Sequence, residues 1–232
     1  MERYFNMNPA RDNPLPEIIK KSKNRFSKFC VPAHKGSRKF SIKNAFDLTE
    51  TDYTDNLFFP ANGGYIEGLN KKISDIYKSG KSFVLPFGTT LSLRVMLSLF
   101  LFEGDTLLCG ENIHRSVIDT ANLLKIKLVL VPVTDDNRLM FELINGNILK
   151  NIRYCLITSP DYFGNISDIS ETAAILKKSG IRLLVDNAHG SHLILSKNHP
   201  LSFDAFAVCD SLFKTLPALT GASVLQIGRA HV

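Results

Sequence analysis

From Ser82 onward the chain alternates short apolar runs with longer amphipathic segments, and this alternation constrains its fold more than any other feature. The short runs predict strands at Phe83–Pro86, Thr106–Cys109, Lys127–Pro132, Tyr154–Thr158 and Arg182–Asp186, with a short one at Ala205–Cys209. The intervening segments predict helices at Thr89–Phe102, Arg115–Leu124, around Leu139–Lys150, and at Ile169–Lys178. A further helix, from about Tyr65 to Ser79, follows the break at Gly63-Gly64, and a basic one runs from Pro14 or Pro16 to about Lys28. Strands and helices in strict turn argue an α/β domain around a mainly parallel sheet. At 232 residues and 44% hydrophobic content the chain can bury one substantial core. No internal repeat or low-complexity linker divides it, and nothing marks a boundary after about residue 80.

Ligands of such sheets gather at the carboxyl ends of strands, and the chemistry-bearing residues fall there. The run Leu183-Leu184-Val185 delivers Asp186, Asn187, Ala188, His189, Gly190, Ser191 and His192 to one point. Downstream, Ser211-Leu212-Phe213-Lys214 places a lysine three residues after a serine. An acid, a small residue, a histidine and then Ser-x-x-Lys is the set a pyridoxal phosphate enzyme needs. The lysine forms a Schiff base with the aldehyde, and a buried acid keeps the ring nitrogen protonated so that the ring accepts electrons. A capping or surface acid at a strand end is the plain alternative for Asp186, and a solvated side chain is the plain alternative for Lys214. The leucines and phenylalanine around Lys214 favour an apolar setting, which lowers an amine's pKa.

Upstream, Gly88-Thr89-Thr90 sits where a strand gives way to a helix. Helix N-terminal N–H groups and hydroxyls make an anion site there, although a threonine N-cap is also an ordinary structural device. Asn112-Ile113-His114-Arg115-Ser116 opens the next helix, and Ser159-Pro160-Asp161-Tyr162-Phe163-Gly164 forms a turn after a later strand.

Taken together these motifs resemble the major domain of the Orn/Lys/Arg decarboxylase family, pyridoxal-phosphate enzymes of fold type I. The resemblance runs from about Phe29 to Leu225. The family pattern is roughly Asp-Glu-Ala-His-Gly-x-His followed by Ser-x-His-Lys; this chain has Asn187 for the Glu and Phe213 for the His. Pro32-Ala33-His34-Lys35-Gly36 resembles the family's Pro-Gly-His-Lys-Gly, and Phe46–Glu50 with Asp55–Leu57 continues the match. The resemblance implies a three-layer, aspartate-aminotransferase-like large domain, truncated here at its C-terminus. It implies that Gly88, Thr89, Thr90 and Ser211 hold the cofactor phosphate and that His114 stacks on the ring. Asp186 then pairs with the ring nitrogen, Ala188 lies against the second ring face, His189 supports Asp186 or a cofactor oxygen, and Lys214 carries the cofactor. The implied reaction is loss of CO₂ from lysine, ornithine or arginine, with Lys214 and His114 as the catalytic residues. His114 is the candidate general acid. An aminotransferase or lyase on the same scaffold, or a non-catalytic homologue, are the competing readings. Phe213 cannot donate the hydrogen bond of the family's histidine, so weaker cofactor binding is expected. A homodimer or larger homo-oligomer is implied as well.

The charge is uneven. Residues 1–45 hold 11 Lys/Arg against 3 Asp/Glu, a net +8, and the remainder holds 17 against 19, a net −2. Interleaved Ile18, Ile19, Phe26 and Phe29 make this arm an amphipathic helix with a solvated basic face, rather than a nucleic-acid or membrane element. Residues 1–16 are polar, without the apolar core of a signal peptide, and no apolar stretch reaches the roughly 18 residues of a membrane span. Leu91–Phe102 comes closest, but Ser92, Arg94 and Ser98 interrupt it. Cys30, Cys109, Cys155 and Cys209 are scattered, without a C-x-x-C pair, which suits reduced thiols in the cytoplasm and gives no metal site. The organisation expected is therefore a basic helical arm at 1–45, a cofactor-binding domain at 46–225 and a tail at 226–232. Ile227-Gly228-Arg229-Ala230-His231-Val232 reads like a translated sequencing adapter, so this tail is expected to be non-native.

Overall fold

A computed structural model describes residues 65–144, 146–218 and 220–229. The basic arm, the His34-Lys35-Gly36 turn and the segments at 46–50 and 55–57 lie outside the described residues.

The described chain runs through helix α1 (Tyr65–Tyr77), strand β1 (Lys81–Leu85), α2 (Gly88–Phe100), β2 (Thr106–Gly110), α3 (Arg115–Leu124) and β3 (Lys127–Val131). A 3-10 turn at Phe141–Leu143 and the single-turn α4 (Gly146–Leu149) lead to β4 (Tyr154–Thr158), α5 (Ile169–Lys178) and β5 (Arg182–Asn187). Two 3-10 segments, Ser191–Ser196 and Pro200–Phe203, precede β6 (Ala207–Ser211), the single-turn α6 (Leu212–Thr215) and β7 (Ser223–Ile227).

The seven strands form one sheet in the order β1-β7-β6-β5-β4-β2-β3. From β6 through β3 every pairing is parallel, while β7 runs antiparallel to both β6 and β1. The expected mainly parallel α/β sheet is therefore what forms. The parallel strands are joined by helices or 3-10 segments, and alternate residues of a strand point to opposite faces. In β5, Leu184 joins Leu93, Met96, Leu97, Val117 and Ala121 of α2 and α3, while Leu183 and Val185 join Ile169 and Leu176 of α5. Ile73 and Tyr77 of α1 cover Val224 of β7. Helices thus cover both faces, which is the three-layer arrangement.

The boundaries follow local chemistry. Asp168 caps α5 by accepting from Glu171 N–H at 2.8 Å, and Lys177 and Lys178 close its last turn, where a cation meets the helix dipole. Two expectations need correction. The helix expected around Leu139–Lys150 is a 3-10 turn followed by one α turn. Its apolar residues have helical spacing, but the chain breaks at Ile144, whose backbone is extended. The strand expected at Ala205–Cys209 lies two residues later, because its register is set by Leu184 opposite Ala207 and Asn187 opposite Asp210. Gln226 and Ile227, the first two residues of the expected tail, lie in β7. Gln226 is fully buried and donates to Asp210 Oδ2 at 2.5 Å, and Ile227 pairs with both Lys81 and Ala207.

Leu184 lies at the centre of the sheet, fully buried, two residues before Asp186. Leu184→Ala is expected to cost about 2–5 kcal/mol, the usual range for a buried leucine truncated to alanine, read as a lower denaturation midpoint in urea.

Candidate active site

The carboxyl ends of β2, β4 and β5 and the loops after β1 and β6 surround a cleft of about 760 Å³. Gly88, Thr89, Thr90, His114, Asp186, Ala188, His189 and Lys214 all line it. So do Phe87, Thr158, Tyr162, Phe213, Thr220 and Gly221. Of the candidate residues from the sequence, Ser211 alone is not brought to this wall. It is fully buried at the end of β6, and its Oγ has no hydrogen-bond partner among the described residues.

At the phosphate end, α2 begins at Gly88 behind Phe87, whose backbone is left-handed with φ 73°. That conformation is unfavourable for a bulky residue and is kept by the surrounding contacts. Gly88 N–H donates to Gly221 O at 2.7 Å, and Gly221 has φ +90°. A Cβ on Gly221 would lie 3.5 Å from Phe87 N, so the two loops meet backbone to backbone. Among the described residues no side chain caps α2. Thr89 is therefore not spent on capping; its buried Oγ1 has no partner among the described residues. An uncapped helix start beside an unpaired hydroxyl is what a phosphate requires.

Asp186 is 2% exposed and points to the α2–α3 face, away from Asn187. Ala188 N–H donates to its Oδ1 at 3.2 Å. Burial raises its pKa, against the opposing pull of that hydrogen bond and of the nearby Lys214 and His114 charges. A buried acid of this kind is relieved by a cationic N–H brought by a ligand. Lys214 is half-buried, and burial lowers its pKa while Asp186 pulls it back up. Its Nζ lies 3.3 Å from His189 Nε2. His189 thus meets the lysine, and the hydrogen bond to Asp186 comes from the Ala188 backbone instead. The pKa of His189 is lowered, by burial first and then by Lys214 and His114, which favours the neutral ring.

His114 is the N-cap of α3: its Nδ1 accepts from Ser116 N–H at 3.1 Å and lies 2.8 Å from Ser116 Oγ. Its capping role fixes Nδ1 as an acceptor towards the backbone, so the ring proton sits on Nε2. The turn after β4 is organised by Asp161, which accepts from Phe163 N–H and Asn165 N–H at 2.8 Å each and from Asn165 Nδ2 at 3.0 Å. This Asx-type turn is the physical use of a residue that departs from the family pattern. It presents Tyr162 to the cleft, 6.3 Å from the His189 ring. Sequence reasoning missed Thr220 and Gly221, while Thr158 opens the turn that it singled out. Thr158 and Asp186 are paired across β4 and β5, a register that only the folded sheet reveals.

One cleft thus brings together a helix N-terminus, a buried carboxylate and a half-buried lysine. The chain belongs to the Orn/Lys/Arg decarboxylase major domain family, which it matches over residues 14–232. It is 31% identical over 229 residues to the uncharacterized protein YaaO of Bacillus subtilis, covering 90% of this chain and 47% of that protein. It is 24% identical to an arginine decarboxylase of the same organism, covering 93% of this chain and 48% of the relative. The chain thus spans about half the length of the curated relatives it matches. Among solved structures, the L-threonine transaldolase of Pseudomonas fluorescens superposes with a TM-score of 0.62 at 16% identity, covering 75% of this chain and 41% of that one. The mouse protein CSAD in its apo form superposes with a TM-score of 0.57 at 19% identity, over 69% of this chain and 40% of that one. The fold is that of the fold type I enzymes, and the cofactor indicated by family membership is pyridoxal phosphate.

Two predictions follow from this geometry. Phe213 lines the cleft, and its ring would lie 3.9 Å from a Cβ on Gly88, against the start of α2. Phe213→His adds a donor there and is expected to tighten cofactor binding several-fold, measured by absorbance titration. In the apoprotein, the lowered pKa of Lys214 means that the folded state binds its proton less well than the unfolded chain does. Lys214→Met is therefore expected to be more stable than wild type at neutral pH. The difference should shrink as pH rises from the lowered value towards the ordinary 10.5, followed by urea denaturation across pH.

Proposed function

We propose that the protein catalyses the decarboxylation of a basic amino acid, lysine, ornithine or arginine, to the corresponding polyamine-type amine and CO₂. The observation that carries the reading is that the half-buried Lys214 amine and the buried Asp186 carboxylate face one cleft whose far end is an uncapped helix start. Family membership supports decarboxylation as the reaction type, and the arginine decarboxylases among the relatives support a basic substrate.

Pyridoxal phosphate, when bound, supplies the electron sink for the bond that breaks. The chain's own residues do the rest. Thr89, Thr90 and the first-turn N–H groups of α2 hold the phosphate. Asp186 takes the ring N–H, and its burial makes that charge pairing strong because little water screens it. Ala188 N–H keeps the carboxylate turned towards the cleft. The depressed pKa of Lys214 raises the fraction of neutral, nucleophilic amine. His189, held neutral beside it, accepts a proton from the lysine or returns one. His114 lines the same cleft and is the candidate general acid for the proton that replaces the lost CO₂. Leu93, Ile113 and Phe213 provide the apolar wall that keeps water from that carbon. The working form in this reading is a homo-oligomer. Phe87 and Tyr162, which line the cleft and are 82% and 86% exposed, suit contact with a second copy.

Product analysis with each of the three amino acids tests the reading. Amine and CO₂ in equal amounts are expected from one of them. A keto acid would instead assign an aminotransferase, and no turnover of any of the three would remove the substrate class. Lys214→Ala is expected to abolish both the cofactor's visible absorbance and turnover.

A further inference from the structure

We infer that Asp210 is a positioning residue of the cofactor site, which it serves through Asn187 and His199 from the opposite face of the sheet. The inference rests on the cofactor assignment and not on the choice of substrate.

Asp210 is fully buried near the end of β6, four residues before Lys214, and faces away from the cleft. Its Oδ1 accepts from Asn187 Nδ2 at 2.5 Å, and its Oδ2 from Gln226 Nε2 at 2.5 Å. His199 Nε2 lies 3.1 Å from both oxygens. His199 is also fully buried, and its Nδ1 accepts from Leu201 N–H, so the ring proton sits on Nε2 and is donated to Asp210. A carboxylate this deep is tolerable only with its lone pairs filled, and here three side chains fill them.

What those bonds hold is the turn that carries the site. Asn187 is paired opposite Asp210 and directly follows Asp186. Its carbonyl accepts from Gly190 N–H at 2.9 Å, closing the turn that contains Ala188 and His189. Its side chain is wedged: a Cβ on Gly190 would meet Asn187 Oδ1 and lie 2.6 Å from Pro160 Cδ. Asn187 can adopt this one placement, and Asp210 accepts from its amide there. A second clasp joins the same two strand ends, since Ser191 Oγ donates to Ser211 O at 2.7 Å. Tyr77 of α1 donates to Ser191 O at 3.0 Å and packs edge-on to His199 at 5.0 Å. The back of the site is thus one connected polar network running from α1 to β6. Side chains that hold a first layer of ligands in this way set its geometry.

The network also explains a departure from the family pattern. Asn187 stands where the family carries Glu. An acid at 187 would face the Asp210 carboxylate across the strand pair, two like charges in a dry site. The chain carries its buried acid at 210 and an amide donor at 187, and the two choices depend on each other.

The test compares pyridoxal phosphate binding, by visible absorbance titration, with apoprotein unfolding, by urea denaturation. It uses wild type, Asp210→Asn, Asn187→Asp and the double variant Asn187→Asp/Asp210→Asn. Each single variant is expected to weaken cofactor binding about ten-fold or more, the scale of outer-layer substitutions in ligand sites. The double variant, which moves the acid to the other strand, is expected to recover most of that loss and to restore the wild-type absorbance band. Unchanged cofactor affinity in Asp210→Asn, or a double variant no better than the singles, overturns the inference. Should Asp210→Asn fail to fold, His199→Leu and His199→Gln decide. Binding weakened in the first and kept in the second, which retains an N–H donor, supports the inference, and equal binding in both overturns it. A wild-type chain that takes up no pyridoxal phosphate would instead overturn the reading of the cleft itself.

Discussion

The parallel pairing of β4, β5 and β6 is the constraint on which the site depends. It sets Thr158 beside Asp186 and Asn187 beside Asp210. Because successive residues of a strand point to opposite faces, this register sends Asp186 to the cleft and Asn187 to the back. A slip of one residue would exchange them, leaving an amide facing the cleft and an acid against Asp210. The core prevents the slip: Leu184 and Leu183 are committed to different hydrophobic clusters, and both are buried. The packing that stabilises the sheet is thus the same packing that selects which residue faces the cleft.

Asp186 and Lys214 illustrate how burial does chemical work here. Desolvation raises the pKa of the acid and lowers that of the amine, so each is held away from its preferred charge state, while their mutual attraction opposes both shifts. A ligand that brings a ring N–H to Asp186 and an aldehyde to Lys214 relieves both groups. The free energy stored in two poorly solvated groups then appears as affinity for one particular ligand. The hydroxyls of Thr89 and Thr158, unpaired among the described residues, belong to the same logic, because a buried polar group without a partner favours the molecule that completes it.

Much of this was legible in the sequence, and the parts that were not have physical reasons. Arg115–Leu124, Tyr154–Thr158 and Ile169–Lys178 match the structure residue for residue, because a cap or a dense apolar run marks their ends. Asp186, Lys214 and the Gly88-Thr89-Thr90 turn stand out because their residue types are unusual after apolar strands. By contrast, β7 carries a buried glutamine and a buried serine, so its sequence lacks the apolar signature of a strand. It is a strand because β1 and β6 pair with it on both sides. His199 was equally silent. A lone histidine before a proline has no local pattern, and only the fold brings it to Asp210, 11 residues away.

The two faces of β5 also show why the site cannot be understood from the cleft alone. On the front, Asp186 has one backbone donor among its described contacts and is left open to a ligand. On the back, Asp210 is saturated by Asn187, His199 and Gln226. The saturated acid has no capacity left for a ligand and acts only through the strands it joins, while the open acid has capacity but little of its own to hold it in place. Its negative charge also reaches across the sheet, where it adds to the rise in the Asp186 pKa. A substitution at 210 is therefore expected to act on Asp186 through the strands that join them and through the lost charge, not through a contact in the cleft.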